Sequence, residues 1–510
     1  MSVGRTKAMA LVGLSGMCVD VEADVAAGLP KFVVVGLPDR ALGEATDRVR
    51  SAIVNSGFVM PPQRVTINLS PASLPKNGSG FDLAIAVAAL SAGRSDLPES
   101  VQAAVHIGEL ALDGRLRPTV GVLPAVLGAV RAGAKTILVP YGNQAEAELV
   151  PDITVVPVES LAHALHWHGL VANVSDVEPL VSVATGAHEL AELDLADVQG
   201  QDQAIETLTY VAAGGHHLSM IGPPGAGKTM LANRLVGLLP DLTDGEALEV
   251  ACLRSLTSSS TLSSLSLRPP FEAPHHTSSA TALVGGGTSL IRPGAIARAA
   301  HGVLFLDEAP EFHKNALEAL RQPLESGNIV IQRATMSANF PARFQLVLAA
   351  NPCPCGKYAL SGIDCECSPA MRRRYLGRLS GPLLDRIDVH MTLRPVNPAQ
   401  LRGDGEATLS TSLVRQRVGE ARTVAQKRWR QHGYSKNASV PGSVLRSRPW
   451  RLPPTVTRSL DFALERNHVS MRGYDRTLRL AWSIADVQGA TVPTVDHVGL
   501  AYLLKKGALK

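Results

Sequence analysis

The stretch Gly222-Pro223-Pro224-Gly225-Ala226-Gly227-Lys228-Thr229 fits the pattern G-x-x-x-x-G-K-[ST], which is typical of a phosphate-binding loop. An apolar run at 217–221 predicts a strand before it, and residues 230–239 predict a helix after it. The glycines let successive backbone N–H groups face phosphate oxygens at the start of that helix. Lys228 would then reach the β- and γ-phosphates, and the Thr229 hydroxyl would ligate Mg²⁺. The eight residues predict a site for ATP and Mg²⁺; a chance glycine turn is the alternative.

A second element, four apolar residues and two acids at 303–308, predicts a buried parallel strand that ends in carboxylates. Asp307 is placed to hold the magnesium shell, and Glu308 to polarise the attacking water. A further strand at 345–350 ends at Asn351, which we expect to orient the same water; a simple turn residue is the alternative. Together with the loop at 222–229, this arrangement predicts hydrolysis as well as binding.

Length and composition place the chain among folded globular proteins. Its 510 residues are enough for roughly three domains, and 45% are hydrophobic. The net charge of +4 is mild, so any affinity for nucleic acid must come from local patches. No uninterrupted apolar run reaches the roughly 18 residues of a membrane span. Residues 5–19 could imitate a signal peptide, but alternating acids at 20, 22 and 24 favour a strand, and we expect a cytoplasmic protein.

The N-terminal third, residues 1–170, alternates strand and helix patterns and is similar to the proteolytic domain of Lon. The segment 75–80 resembles the Lon loop that carries the nucleophile, and 131–136 resembles the segment just past its lysine. In that register, Gly80 occupies the nucleophile position and Leu123 the lysine position, while Ser79 lies one residue away. Neither Gly80 nor Leu123 can do the chemistry. We therefore expect a non-catalytic scaffold or a module that docks a protein partner.

The rest of the chain divides into a linker at 171–193, an ATPase domain at 194–396 and a helical lid at 397–510. The ATPase domain contains an insertion, 254–298, which we expect to form hairpin or loop arms. Within the insertion, the adjacent His275 and His276 are interpreted as surface or hydrogen-bonded residues rather than metal ligands.

Four cysteines follow Asn351 as two C-x-C pairs, Cys353 with Cys355 and Cys365 with Cys367. Four thiolates at this spacing could bind one zinc ion, although zinc ribbons more often use C-x-x-C. Reduced structural thiols or a redox pair are the alternatives that the sequence leaves open. A disulfide framework is not expected in a chain of this length.

The lid begins with a basic stretch, 415–458, which holds eleven Lys and Arg residues against the single acid Glu420. Trp429 and Trp450 lie within it. Cations interleaved with aromatic rings suit phosphate contacts and base stacking, so the stretch predicts DNA binding. A solvated helix face is the alternative.

Nearly the whole chain resembles the ComM/YifB family of magnesium-chelatase-related AAA+ proteins. The motifs that carry this resemblance are 222–229, 303–308, 351–356, 381–388 and 470–479. It implies an α/β fold with a P-loop AAA+ parallel sheet core, an N-terminal Lon-protease-like α+β domain and a C-terminal helical lid. It also implies a nucleotide-dependent homohexamer that acts on single-stranded or branched DNA, like the branch-migration helicase ComM. A magnesium-chelatase-like or protein-remodelling motor without DNA translocation is the alternative. Ala295 departs from the glutamate of many relatives.

The resemblance to ring ATPases assigns roles to two arginines. Arg386 follows a short predicted helix past the strand that leads to Asn351, where such rings place a finger into the neighbour's site. An ion pair with Asp385 or Asp388 is the alternative. Arg472, at a predicted helix start, is expected to touch the γ-phosphate when the lid closes.

Overall fold

The computed structural model describes residues 3–36, 39–74, 76, 80–181, 193–257, 262–287, 291–333, 337–358, 365–395 and 409–507. Ser79 and most of the predicted Lon-like loop around it lie outside the described residues, as do 182–192 of the predicted linker. The domain boundaries given above stay predictions.

The N-terminal region is built on a mixed seven-stranded sheet covered by helices. The strands of this region are β1 Gly4–Val12, β2 Ser15–Ala26, β3 Lys31–Val35, β4 Arg64–Ser70, β5 Val105–His106, β6 Glu109–Leu110, β7 Leu116–Arg117, β8 Thr136–Pro140 and β9 Thr154–Val158. β6 and β7 pair with each other outside the seven-stranded sheet. Its helices are α1 Asp39–Asn55, α2 Asp82–Ser91, α3 Glu99–Ala103, α4 Val122–Arg131, α5 Gln144–Ala147 and α6 Leu161–Trp167. The sheet has the order β3-β4-β2-β1-β5-β8-β9. Buried residues alternate along β2, so the acids at 20, 22 and 24 belong to a sheet strand as predicted.

The central region forms a five-stranded, all-parallel sheet with the order β11-β14-β17-β10-β18. The strands and ribbons are β10 Leu218–Ile221, β11 Phe271–Glu272, β12 Gly285–Gly286, β13 Arg292–Pro293, β14 Val303–Leu306, β15 Asn328–Gln332, β16 Ser337–Pro341, β17 Gln345–Ala350 and β18 Val389–Thr392. The helices are α7 Asp202–Gly214, α8 Lys228–Leu238, α9 Asp244–Ser255, α10 Ala280–Val284, α11 Ala295–Arg298, α12 Lys314–Glu318, α13 Pro323–Ser326, α14 Pro369–Leu376 and α15 Gly381–Leu384. The predicted parallel α/β core is confirmed.

The three predicted motifs lie at one edge of this sheet because the strands are parallel. The phosphate loop follows β10, the two acids follow β14, and Asn351 follows β17. β14 and β17 are fully buried, which explains their unbroken apolar runs. The topology thus supplies a common edge for residues far apart in sequence.

A hairpin of β15 and β16 lies after Asp307, and the sequence analysis missed it. Buried and exposed residues alternate on both strands, a period of two that could have revealed it.

The hairpin and α9 contact the N-terminal region directly. A Cβ on Gly13 would come within 3.0 Å of the Asn339 carbonyl oxygen, and Gly121 N–H donates to the Ser255 carbonyl at 2.9 Å.

The C-terminal region is helical, with α16 Thr411–Trp429, α17 Gly442–Leu445, α18 Pro454–Glu465, α19 Met471–Val487 and α20 Val495–Lys506. Its apolar faces share one core with α7, α8 and β10. The region therefore packs directly on the elements that carry the phosphate loop.

Candidate nucleotide site

The phosphate loop has the backbone of an anion cradle. Gly225 and Gly227 have φ of 78° and 84°, in the left-handed region that favours glycine. A Cβ on Gly222 would approach the Leu393 carbonyl oxygen to 2.9 Å, so this close approach also requires glycine. α8 begins at Lys228, which directs its free N–H groups toward the loop.

Lys228 lies in the loop with its ammonium held by three acceptors. Its Nζ donates to the carbonyls of Gly222 at 2.6 Å and Pro223 at 2.9 Å, and to Asn351 Oδ1 at 3.0 Å. Burial lowers the pKa of Lys228, while Asp307 and Glu308 act in the opposite direction. The structure therefore brings together the lysine and the asparagine that the sequence analysis assigned to one site.

Thr229, in the first turn of α8, and Asp307, just after β14, meet at this edge of the sheet. Thr229 Oγ1 donates to Asp307 Oδ2 at 2.7 Å, and Asp307 Oδ1 accepts from the Glu308 N–H at 2.9 Å. A hydroxyl and a carboxylate side by side fit the oxygen ligands that Mg²⁺ prefers. Bound there with ATP, Mg²⁺ would neutralise charge on the phosphates.

Glu308 occupies an unusual backbone conformation for a residue with a side chain. Its φ of 51° lies in the left-handed region, a strain that clusters at functional sites. Its carboxylate is half-exposed and lies 3.3 Å from Nδ1 of His276, which comes from the insertion. His275 Nδ1 contacts the Thr277 hydroxyl at 2.8 Å. Both histidines are thus engaged in polar contacts, as predicted, and His276 touches the site itself.

Arg386 and Arg472 lie together, but away from the phosphate loop. Arg386 is buried, donates to the Pro382 carbonyl at 2.6 Å and forms an ion pair with Glu325. Arg472 is exposed and lies 3.6 Å from the same Glu325 oxygen. The expected alternative, an ion pair of Arg386 with Asp385 or Asp388, is not what the structure shows.

This arginine cluster lies at the amino-terminal edge of the parallel sheet. Asp388 precedes β18; it accepts from the His217 N–H at 3.0 Å, just before β10, and from Arg476 at 2.6 Å. The phosphate loop follows the other end of β10, roughly 13 Å away for a four-residue strand. The expectation that Arg472 reaches the γ-phosphate of its own chain conflicts with this position, because α19 starts at the opposite edge.

Comparison with known proteins identifies the family of this chain. Residues 194–401 match the family model described as magnesium chelatase, subunit ChlI. Residues 21–143 and 408–505 match two further ChlI models, the second for the C-terminal part. The Competence protein ComM of Haemophilus influenzae is 40% identical over 491 residues, which are 96% of this chain and 94% of ComM. The chain belongs to the ComM/YifB family of magnesium-chelatase-related AAA+ proteins.

Other family members extend this similarity. YifB of Escherichia coli is 39% identical over 500 residues, covering 98% of this chain and 96% of YifB. An uncharacterised protein of Mycobacterium tuberculosis is 50% identical over 505 residues, 98% of both chains. Membership in this AAA+ family implies an ATPase motor that uses ATP and Mg²⁺. In the described part of the chain, every helix is too short or too polar to cross a membrane.

A similarity to Lon is also found by comparison. A Lon protease of Salinispora arenicola is 28% identical over 207 residues, 39% of this chain and 24% of that protein. Leu123, which stands at the position of the Lon lysine, is fully buried in α4. Lys76 is buried too, and its ammonium is held by the carbonyls of Pro71 and Leu74. These features agree with a domain that does not cleave peptides, which remains a prediction.

The four predicted cysteine ligands form a cluster in this ComM/YifB chain. One ligand atom from each of Cys353, Cys355, Cys365 and Cys367 lies within 4.8 Å of all the others. The two C-x-C pairs, separated in sequence, therefore converge on one point.

The basic stretch of the lid differs from its prediction in part. Arg428 is an internal residue: its guanidinium pairs with the buried Asp486 and lies 4.3 Å from the Trp482 ring centre. Trp429 is fully buried and donates to Asn437 at 2.7 Å, so it cannot stack on a base. Arg422 donates to the Ala212 carbonyl. The interleaving of cations and aromatics partly reflects a helix packed in a core rather than a binding surface.

Six cations of the stretch are exposed; Arg446 pairs with Asp475 and Arg458 lies on α18, which leaves four. The rings of Trp429 and Trp450 lie 4.8 Å apart, which brings the two segments that carry them together. The exposed members of these segments are Lys427, Arg430, Arg448 and Arg451, here called the basic patch. Within the described residues, none of the four has a carboxylate within 4.0 Å.

Proposed function

We propose that this chain is the subunit of a nucleotide-dependent homohexameric ring that hydrolyses ATP to move single-stranded or branched DNA in the cytoplasm. The N-terminal region would dock a protein partner, and the four cysteines would bind zinc. The observation that carries the ring is the position of Arg386 and Arg472, at the sheet edge opposite the phosphate loop of their own chain. Side chains at opposite edges suit a head-to-tail interface, which closes into a ring.

Glu308, Lys228 and Asn351 are proposed to act from the positions in which the structure holds them. Glu308 takes a proton from water as the water oxygen bonds to the γ-phosphorus and the bond to the bridging oxygen of ADP breaks. Lys228 balances charge on the phosphates, and Asn351, already 3.0 Å from Lys228, orients the water. Arg386 and Arg472 of a neighbouring subunit add positive charge as negative charge develops on the γ-phosphoryl group.

Action on DNA is supported by the basic patch and by the resemblance to ComM. Exposed cations without acidic partners can neutralise backbone phosphates, and the release of counterions then favours binding. Such contacts carry no base sequence information, as a motor that moves along DNA requires. The basic patch therefore favours action on DNA over a protein-remodelling motor.

Reversing the charge of Lys427 and Arg430 together to glutamate should weaken binding to all DNA sequences alike. Each lost phosphate contact should make the slope of log affinity against log salt less steep by about 0.9 for duplex DNA and about 0.7 for single-stranded DNA. Single-stranded or forked DNA should raise the ATPase rate of the unmodified protein, and this rise should shrink in the variant. DNA titrations at several salt concentrations and a steady-state ATPase assay measure both effects.

The matched control reverses Lys31 and Arg64, two exposed cations paired in register on β3 and β4 of the N-terminal sheet. This control should keep the stimulation. Arg428 is unsuitable for reversal because a glutamate there would face the buried Asp486. An ATPase rate indifferent to DNA, with binding unchanged in the Lys427 and Arg430 variant, would favour the protein-remodelling function instead.

A further inference from the structure

Three of the four cysteine sulfurs have the spacing of a tetrahedral metal site, and the sulfur of Cys367 lies within 4.8 Å of each of them. Cys353 Sγ lies 3.3 Å from Cys355 Sγ and 3.6 Å from Cys365 Sγ, and the last two are 3.7 Å apart. Four sulfurs at about 2.3 Å from one zinc ion would be separated from each other by about 3.8 Å. A disulfide would instead bring two sulfurs to about 2.05 Å. The geometry therefore fits one four-thiolate site better than a disulfide.

The loop that carries the first two cysteines lies directly on the phosphate loop. Gly356 has φ of 74°, and a Cβ there would meet Pro224 at 2.7 Å. Gly356 N–H also donates to the Cys353 carbonyl at 3.0 Å, which closes a tight turn between them. The backbone of the cysteine turn is thus packed against the Pro224 ring of the phosphate loop.

The same loop begins at Asn351, whose Oδ1 accepts from Lys228 at 3.0 Å. Just before it, the Ala350 carbonyl accepts from the Gly222 N–H at 3.2 Å. The segment from Ala350 to Gly356 therefore touches the phosphate loop at three points: its first glycine, Pro224 and Lys228. Whatever fixes Cys353 and Cys355 also fixes this segment against the nucleotide site.

The other two ligands come from the far side of the turn. Cys365 and Cys367 precede α14, whose first turn is capped by Ser368 accepting from the Met371 N–H at 3.2 Å. α14 already contacts the Asn351 segment, since the Arg372 guanidinium lies 4.0 Å from the Tyr358 ring centre and Tyr375 hydrogen-bonds the Asn351 backbone. A metal ion bound by the four sulfurs would add a coordinate bond between this helix start and that segment.

We propose that Cys353, Cys355, Cys365 and Cys367 bind one structural zinc ion that clamps the Asn351 segment onto the phosphate loop, so that ATP turnover depends on the metal. The proposal rests on the proposed roles of Lys228 and Asn351 in hydrolysis. Zinc here neither touches ATP nor takes part in the reaction; it holds the segment that does.

The test uses full-length protein purified under reducing conditions without added zinc. We expect about one zinc per chain in the unmodified protein and less than about 0.2 in Cys365→Ser. With Mg²⁺ saturating, Cys365→Ser should hydrolyse ATP at least tenfold more slowly and bind it more weakly. Cys18→Ser, a free cysteine of the N-terminal sheet, is the control and should match the unmodified protein in all three measurements.

Removal of zinc from the unmodified protein with a zinc-selective chelator covers the case in which Cys365→Ser does not fold. ATP affinity and turnover should fall on removal and return when zinc alone is added back. Less than about 0.2 zinc per chain in fully reduced protein would overturn the metal site. Zinc at full occupancy, with ATP affinity and turnover unchanged by its removal, would overturn the clamp. Zinc-dependent ATP affinity without any turnover would support the clamp and contradict the proposed motor instead.

Discussion

Glu308→Gln should reduce ATP turnover by about 10²- to 10⁴-fold while ATP still binds. Glutamine keeps the shape of the side chain but cannot accept the proton of the attacking water. The carboxylate is half-exposed, and within the described residues its one ion pair is with His276, so its loss should leave the fold intact. Binding of a fluorescent ATP analogue and steady-state phosphate release, measured on the same preparation, separate the two effects.

Lys228→Ala gives the complementary result, since it removes the charge that faces the phosphates. We expect roughly tenfold to hundredfold weaker ATP binding, the range for a lost hydrogen bond to a charged group. Glu318→Gln is the control for Glu308→Gln: it removes the same negative charge, here from an ion pair between the end of α12 and Arg321, and should change neither quantity. Normal ATP turnover in Glu308→Gln would show that Glu308 does not accept the proton of the attacking water.

The sequence was sufficient for the parts of the site that local patterns encode. The phosphate loop needs glycines at positive φ, and fully buried strands need unbroken apolar runs, so 222–229 and 303–308 could be placed from residue types alone. The alternation of acids along β2 likewise identified a sheet strand. The order of the parallel strands then brings these motifs and Asn351 to one edge of the sheet.

Long-range packing explains what the sequence could not supply. Arg428 looks like a surface cation in sequence, but Asp486, 58 positions away, satisfies it inside the core. Arg386 and Arg472 meet at Glu325, which has no sequence signature. The contact of His276 with Glu308 likewise depends on the path of the insertion. For Arg428, Arg386 and Arg472, the deciding partner is an ordinary acid that no motif distinguishes.

Arg386→Ala should lower ATP turnover on the order of 10³-fold, the effect of losing an arginine finger. Because Arg386 lies at the sheet edge opposite its own phosphate loop, we expect that it completes the site of the neighbouring subunit. Mixing Arg386→Ala with Lys228→Ala subunits should therefore restore activity. In an equal random mixture, about one interface in four joins an intact phosphate loop to an intact arginine, since a head-to-tail interface takes each from a different subunit.

Two further mixtures make the result specific. Lys228→Ala with Glu308→Gln should give no rescue, because both lesions lie on the same half of the interface and every site keeps one of them. Arg472→Ala with Lys228→Ala should behave like the Arg386 mixture, because Glu325 holds both arginines at one edge. If rings shown to be mixed recover no activity at any ratio of Arg386→Ala to Lys228→Ala, the arginine acts within its own subunit. That outcome would require α15 and α19 to move across the sheet edge during turnover, a rearrangement far larger than closure of a lid.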